Sequence, residues 1–149
     1  MTAPAGLGHF AGKAHILPLR VYYEDTDLSG VVYHANYLRY MERGRTEFFR
    51  LAGISCAKLD DEEPSAWALR RIAVEYHRPA RLDDQIAVHS VLTGMSGARI
   101  NVVQKIFCGE MLLVEGRIEA CMITLTRKLR RLPKNVLETL APYVTAEDT

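Results

Sequence analysis

The sequence predicts an α+β domain in which one long helix faces an antiparallel sheet. One segment, residues 36–51, has helical periodicity, and one strand-like segment precedes it. Several later segments alternate between apolar and polar residues and are separated by short turns, which is typical of strands. With 149 residues, 48% of them hydrophobic and 25% charged, the chain has the size and composition of one globular domain.

We expect this domain to span residues 15–144, after a flexible leader (residues 1–14) and before a short polar tail (residues 145–149). No segment approaches the ~20 apolar residues of a transmembrane helix, and the N-terminus lacks the features of a signal peptide. The three cysteines form no CxxC motif, which favours free thiols and a cytoplasmic location. A net charge of +1 gives no reason to expect a nucleic-acid partner.

The first elements are a strand and the long helix. Residues 16–23 are rich in β-formers and predict a strand that continues through Tyr23. Asn36 is the predicted N-cap of the helix, and Gly53 is its predicted stop. Gly44 costs about 1 kcal/mol relative to alanine inside a helix. Its presence therefore predicts close packing of the helix against the sheet.

The second half of the chain is strand-like. After a polar loop at residues 55–64, alternation begins near Trp67 and slips in phase at Arg70–Arg71, which predicts a β-bulge. Further strands are predicted at residues 86–92, 100–107 and 112–125, followed by a short helix that opens at Pro133. Short turns between consecutive strands favour a meander. Because a single helix covers one sheet face and long strands leave open edges, we expect a dimer with a continuous sheet.

The densest polar cluster, residues 22–36, connects the first strand to the long helix. It offers a carboxylate at Asp27, an imidazole at His34 and the unpaired N–H groups of a first helical turn, which can stabilise an oxyanion. Each group has a structural alternative. Asp27 can be a turn residue, His34 a helix-entry residue that bonds a carbonyl, and Tyr23 a strand aromatic packed on the helix.

Two stretches of this cluster, Val21–Asp27 and Gly30–Leu38, resemble the hotdog-fold thioesterases, and Tyr40, Glu42 and Arg45 extend the match. The resemblance is strongest to the YbgC-like, Tol–Pal-associated branch of the 4-hydroxybenzoyl-CoA thioesterase group. It covers roughly residues 17–130. It implies the hotdog fold, in which a curved antiparallel sheet wraps around one long central helix.

The resemblance also implies an activity: hydrolysis of short- or medium-chain acyl-CoA, with CoA as part of the substrate and no cofactor. Asp27 would act as a general base or as a nucleophile that forms an acyl anhydride, and the residues leave both roles open. The backbone N–H of His34 would bind the thioester carbonyl, and the side chains of His34 and Tyr23 are also implicated. Substrate-positioning residues are then expected at Gly30, Val31, His34 and Asn36. The site would lie between subunits of a homodimer or homotetramer.

Two further sets of charged residues are weaker candidates. Glu42 is an alternative catalytic carboxylate, although a helix-surface pair with Arg45 is the favoured interpretation. CoA phosphates can be bound by basic residues, of which four are candidates: Arg99, Arg127, Lys128 and Arg130. The structural alternative for the C-terminal run is a solvated strand end. His77 and His89 lack ligand-type spacing, so no metal site is predicted.

Three other functions remain open at the level of sequence. The basic C-terminal run also suits an acidic acyl carrier protein, so hydrolysis of acyl groups on such a carrier is one alternative. A hotdog hydratase is another, although the sequence shows no hydratase-type motif. A non-catalytic scaffold for envelope or lipid-synthesis proteins is the third, and the combination of Tyr23, Asp27 and His34 argues against it.

Overall fold

A six-stranded antiparallel sheet packs against one long helix in the computed structural model, which describes residues 8–55 and 64–146. The elements are β1 (His9–Ala11), β2 (Ala14–Arg20), α1 (Asn36–Ala52), β3 (Ser65–Tyr76), β4 (Gln85–Ser96), β5 (Arg99–Cys108), β6 (Met111–Thr124) and α2 (Lys134–Leu140). The predicted α+β architecture, with its long helix and short C-terminal helix, is confirmed. Neither described helix is long and apolar enough to cross a membrane.

The strand order is β1-β2-β4-β5-β6-β3, which corrects the predicted meander. Among the described strands, β1 and β2 are neighbours in both the sheet and the sequence, and so are β4, β5 and β6, whereas β3 is next to neither β2 nor β4. The connection after β3 crosses the sheet instead: the N–H groups of His77 and Arg78 donate to the Leu113 carbonyl, and Val32 N–H donates to Ala80 O. As a result, β3 lies at an edge of the sheet, and among the described residues it pairs only with β6. Twelve residues of strand are therefore open to a further partner on one side.

The N-terminal boundary also differs from the prediction. The sequence predicts a flexible leader through residue 14, but His9–Ala11 forms β1, a short strand paired with β2. Phe10 explains this pairing, because its ring stacks on Tyr143 with 4.6 Å between centroids and meets Phe48 edge-to-face. The rest of the predicted leader (residues 1–7), most of the loop after α1 (residues 56–63) and the end of the tail (residues 147–149) lie outside the described residues.

The ends of α1 follow from local chemistry. The N-cap is Ala35 and not Asn36, because the Asn36 side chain donates instead to the carbonyl of Asp25 at 2.8 Å. The predicted stop is confirmed: Gly53 adopts φ 110°, a left-handed conformation that favours glycine, and its N–H bonds the carbonyls of Phe49 and Arg50. The predicted bulge in β3 is also confirmed, between Leu69 and Arg71.

Gly44 packs α1 closely against the sheet, as predicted. A Cβ atom at this position would lie 2.7 Å from Val88 Cγ1 and 3.0 Å from Gln104 Nε2. Because helix and sheet lie so close here, Gln104 Nε2 in β5 can donate to Met41 O in α1 and to Ser90 Oγ in β4, both at 2.8 Å. Helix and sheet are thus joined by a buried polar contact as well as by apolar packing.

Candidate active site

The connection between β2 and α1 is held together by Asp25. Its carboxylate accepts a hydrogen bond from the Tyr22 N–H at 2.9 Å, and its carbonyl accepts from Tyr33 N–H and Asn36 Nδ2 at 2.9 and 2.8 Å. Asp25 is therefore a structural residue that folds the loop back onto the start of α1. The neighbouring Asp27 is left at the tip of this loop.

Asp27 opens a tight turn and presents its carboxylate to solvent. Its N–H donates to Val31 O at 2.9 Å, and Gly30, at φ 80°, donates its N–H to the Asp27 carbonyl at 3.1 Å. The Oδ1 atom accepts hydrogen bonds from both the N–H and the hydroxyl of Ser29. Asp27 is thus a turn residue, which is the structural alternative given above. Its carboxylate is also exposed, so the turn does not exclude a catalytic role.

Hydrogen bonds within the turn change the pKa of this carboxylate. The Ser29 hydroxyl and the Ser29 N–H, in that order, stabilise the charged form and lower the pKa of Asp27 below its ordinary value. Asp27 is therefore ionised at neutral pH. An ionised carboxylate is the form that a general base or a nucleophile requires.

His34 offers a backbone donor immediately before α1. Its carbonyl accepts a hydrogen bond from Tyr76 Oη at 3.0 Å, and its exposed ring lies 4.4 Å from the Tyr33 ring. The N–H groups of Val32, Tyr33 and Asn36 are all bonded. Those of His34 and Ala35 have no acceptor among residues 8–55 and 64–146. A free N–H at a helix N-terminus is suited to bind a carbonyl oxygen or an oxyanion.

Tyr23 lies on the same loop but not in the predicted strand. The strand β2 ends at Arg20, and residues 23–25 form a short 3₁₀ turn. The Tyr23 side chain is 82% exposed, so it does not pack on the helix. The structure brings Tyr23, Asp27 and His34 onto one short segment. No hydrogen bond joins their side chains within the described part of the chain.

Two tyrosines that the sequence analysis did not single out hold this segment in place. Tyr37 Oη accepts a hydrogen bond from the buried Ala80 N–H at 2.9 Å, and the Ala80 carbonyl accepts from Val32. Tyr76, at the end of β3, fixes the His34 carbonyl. For Tyr37, its position on the buried stripe of α1 indicated a structural role. For Tyr76 the sequence gave no indication, because its partner His34 lies 42 positions earlier in the sequence.

The predicted surface pair of Glu42 and Arg45 is wrong. Arg45 turns into the helix–sheet interface, where its Nη1 donates to Gln104 Oε1 at 2.9 Å. Burial lowers the pKa of Arg45, and the charge of Glu42 opposes that effect without a direct ion pair. Both residues border a cleft between α1 and β3 that also includes Phe49, Trp67 and Leu69.

The basic candidates lie at the other end of the sheet. Arg130 Nη1 donates to Ser65 Oγ at 2.7 Å, and Lys128 bonds Thr124, which pairs with Ser65 at the start of β3. The catalytic candidates lie near Tyr76, at the opposite end of that strand. Twelve residues at about 3.3 Å each separate the two groups by roughly 40 Å along β3.

Arg99, the one sequence-predicted cation outside the C-terminal run, is part of a separate cluster. Its Nη1 lies 3.6 Å from Glu119 Oε1, and Arg70 and Arg71 approach Oε2 of the same carboxylate at 3.8 and 4.0 Å. Arg70, Arg71 and Glu119 border an open groove on the sheet face away from α1. Arg99 is therefore not next to the carboxylate of Asp27 in one chain.

Comparison with known proteins agrees with this fold and loop. The family model of the thioesterase-like superfamily matches residues 21–140, which include the candidate loop and all of the sheet from β3 to β6. The protein is thus a thioester hydrolase by class. The chain belongs to the thioesterase-like superfamily.

Curated relatives narrow the family. The chain is 43% identical over 122 residues to the acyl-CoA thioester hydrolase YbgC of Escherichia coli, covering 80% of this chain and 90% of that protein. It is 36% identical over 120 residues to the acyl-CoA thioesterase YbgC of Haemophilus influenzae, covering 80% and 88%. The crystal structure of a probable thioesterase from Bartonella henselae matches with a TM-score of 0.76 and 40% identity, over 81% of this chain and 98% of that one. The predicted YbgC-like resemblance is confirmed.

Proposed function

We propose that this protein hydrolyses the thioester of acyl-CoA, with Asp27 as the catalytic carboxylate and the His34 N–H as the oxyanion donor. The observation that carries the proposal is that one short loop holds an ionised, exposed carboxylate and a backbone N–H with no acceptor in the described part of the chain. Two relatives that are 43% and 36% identical are named for the same activity.

The proposed chemistry needs few titrating groups. The thioester carbonyl accepts a hydrogen bond from the His34 N–H, which stabilises the negative charge that develops on its oxygen. Asp27 then either deprotonates an attacking water or attacks the carbonyl carbon itself. In the second route the C–S bond breaks, CoA leaves as a thiolate, and water hydrolyses the acyl anhydride to release the acid and regenerate Asp27. A thiol pKa near 8.5 makes the thiolate an adequate leaving group without strong acid assistance.

We further propose that two chains pair along β3. Its open edge offers twelve residues for main-chain hydrogen bonds, and Leu69 and Tyr76 are about half exposed on it. Antiparallel pairing of β3 with its symmetry mate places the start of one strand beside the end of the other. The basic run of one chain then approaches the candidate loop of its partner, which removes the separation of roughly 40 Å within one chain.

In the proposed antiparallel pairing, the cleft between α1 and the start of β3 in one chain lies beside the candidate loop of its partner, and the size of this cleft supports the assignment of short or medium acyl chains. Its volume is about 390 Å³, near the lower end of the usual range for small-molecule sites. Phe49, Trp67 and Leu69 supply apolar lining, and Phe49 stacks on Trp67 at 5.5 Å. The cleft opens beside the β3 edge, so a partner chain would help to enclose it.

Release of CoA from a panel of acyl-CoAs tests the activity and its chain-length preference. We expect turnover of short- and medium-chain substrates and a fall in kcat/KM for long chains, because the cleft is small. Free CoA should compete with these substrates. Turnover of acyl carrier protein substrates without inhibition by CoA would instead support the carrier-protein alternative, and no turnover of either class would support the scaffold.

Mixed dimers test whether the site is shared between subunits. We expect the double variant Arg127→Gln/Lys128→Gln to raise KM several-fold, since each exposed charge contact contributes up to about 1 kcal/mol. Mixing this double variant with Asp27→Asn, so that subunits exchange, should recover activity at low substrate concentration. In each mixed dimer, one site combines the intact Asp27 of the first variant with the intact basic run of the second. If the mixture shows only the average of its two components, each site draws both elements from one chain.

A further inference from the structure

The outer face of the sheet, opposite α1, carries a cluster of potential metal ligands. Glu75 in β3 and Glu115 in β6 are direct cross-strand partners. His77 follows Glu75 by two residues, and its N–H donates to the Leu113 carbonyl at 2.8 Å, so its side chain continues on the same face. The intervening Tyr76 points to the other face, where its hydroxyl bonds the His34 carbonyl.

The three side chains converge on one point. One ligand atom from each lies within 4.8 Å of the other two. His77 Nε2 is 3.3 Å from Glu115 Oε2 and 3.8 Å from Glu75 Oε2. Ligands bonded to zinc at about 2.0–2.2 Å in a tetrahedral arrangement are about 3.3–3.6 Å apart. Small side-chain rotations therefore bring these atoms to coordination distances.

We propose that Glu75, His77 and Glu115 form a binding site for Zn²⁺. The imidazole distinguishes this cluster from a purely acidic one, because nitrogen ligands favour zinc and related transition metals over Mg²⁺ and Ca²⁺, which prefer oxygen. The two carboxylates balance the charge of the ion. Three protein ligands leave at least one coordination position for water, as in other open zinc sites.

The site is accessible to ions from solution. The side chains of His77 and Glu115 are 39% and 32% exposed, and that of Glu75 is 76% exposed. Sequence spacing gave no indication of the site, because Glu115 is 38 residues from His77 and is brought to it only by the β3–β6 pairing. The sequence therefore predicted no metal site at His77, since Glu115 was not recognisable as its neighbour.

Zinc at this position would cross-link the end of β3 to β6 through its protein ligands. Tyr76 lies between two of the ligands and holds the carbonyl of His34, so the ion would stabilise the segment that supports the candidate active site. Ligand binding to the folded state alone raises the apparent stability of a protein. The melting temperature should therefore rise with Zn²⁺ concentration.

Calorimetric titration of the tag-free, chelator-treated full chain with Zn²⁺ tests the site, with melting temperature as a second measurement. We expect one ion per chain, weaker binding of Mg²⁺, and a loss of affinity in His77→Gln of at least the 10–100-fold that outer-shell changes cost. His89→Gln is the matched control: His89 also lies on the outer face, but its ring contacts Phe107 and it has His9 and Lys105 as charged neighbours. It should bind Zn²⁺ as the wild type does.

A second variant separates ligand loss from a folding defect. Glu115→Gln removes a charged ligand but keeps a side chain of the same shape, and its metal-free melting temperature should remain close to that of the wild type. Equal Zn²⁺ affinity in the wild type and in His77→Gln would overturn the proposal. In that case, the hydrogen bond between the His77 ring and the Glu115 carboxylate would account for the cluster. Equal affinity for Zn²⁺ and Mg²⁺ would overturn it as well.

Discussion

Asp27→Asn should lower kcat/KM for acyl-CoA by about 10²–10⁴-fold, the usual contribution of a general acid–base group. An amide cannot accept the proton of an attacking water and cannot form an acyl anhydride. Its oxygen can still accept the hydrogen bonds that the Ser29 N–H and hydroxyl donate to Oδ1, so the turn and the fold should persist. Initial rates of CoA release, measured together with the melting temperature, check this prediction.

Two other variants distinguish catalysis from a general effect of charge. Asp83→Asn removes an exposed carboxylate outside the loop, at a position with φ 70° that asparagine tolerates, and should leave kcat/KM unchanged. Ser29→Ala removes the strongest stabilising contact of the Asp27 carboxylate and so raises the pKa of Asp27. Less of the ionised form is then present at low pH, and the acidic limb of the kcat/KM profile should move to higher pH. Unchanged activity in Asp27→Asn would shift the catalytic role to another carboxylate, with Glu42 next in line.

The parts of the fold that the sequence predicted are those with local signals. The helical stripe of α1, its stop at Gly53 and the bulge near Arg70 each depend on residues a few positions apart, and each is present. Close packing at Gly44 was also predictable, since an interior glycine in a helix needs a compensating contact. In contrast, the position of β3 beside β6 depends on pairing between distant segments, which periodicity does not encode.

The candidate site shows the same division. Resemblance to a known family identified the loop that contains Asp27 and His34, and the structure shows that this loop is tied to the rest of the fold by Tyr37 and Tyr76. These ties reach Ala80 and His34 across the sheet, so they had no short-range signature. The N-terminal strand was missed for a related reason: His9–Ala11 is only three residues long, and its order depends on contacts made by Phe10.

The aromatic cluster that anchors β1 should also control stability, and Phe48→Ala is expected to cost about 3–5 kcal/mol of the free energy of unfolding. Phe48 is 2% exposed, and its ring lies 5.2 Å from Phe10, 5.6 Å from Phe49 and 5.7 Å from Tyr143. Truncation therefore opens a cavity where α1 meets both the N-terminal strand and the end of the chain. For a domain of this size the melting temperature should fall by about 6–20 °C.

Phe107→Ala is the matched control, because the same atoms are removed from a half-buried position on the outer face, where Phe107 contacts His89 at 4.7 Å. Its cost should be smaller, since less apolar surface returns to water and solvent can fill the gap. Urea unfolding of both variants measures the difference. At a temperature where both are folded, Phe48→Ala should keep the kcat/KM of the wild type, because its ring does not touch the loop of Asp27. Equal losses of stability at the two positions would mean that the contacts of Phe10 and Tyr143 with Phe48 add nothing beyond ordinary surface burial.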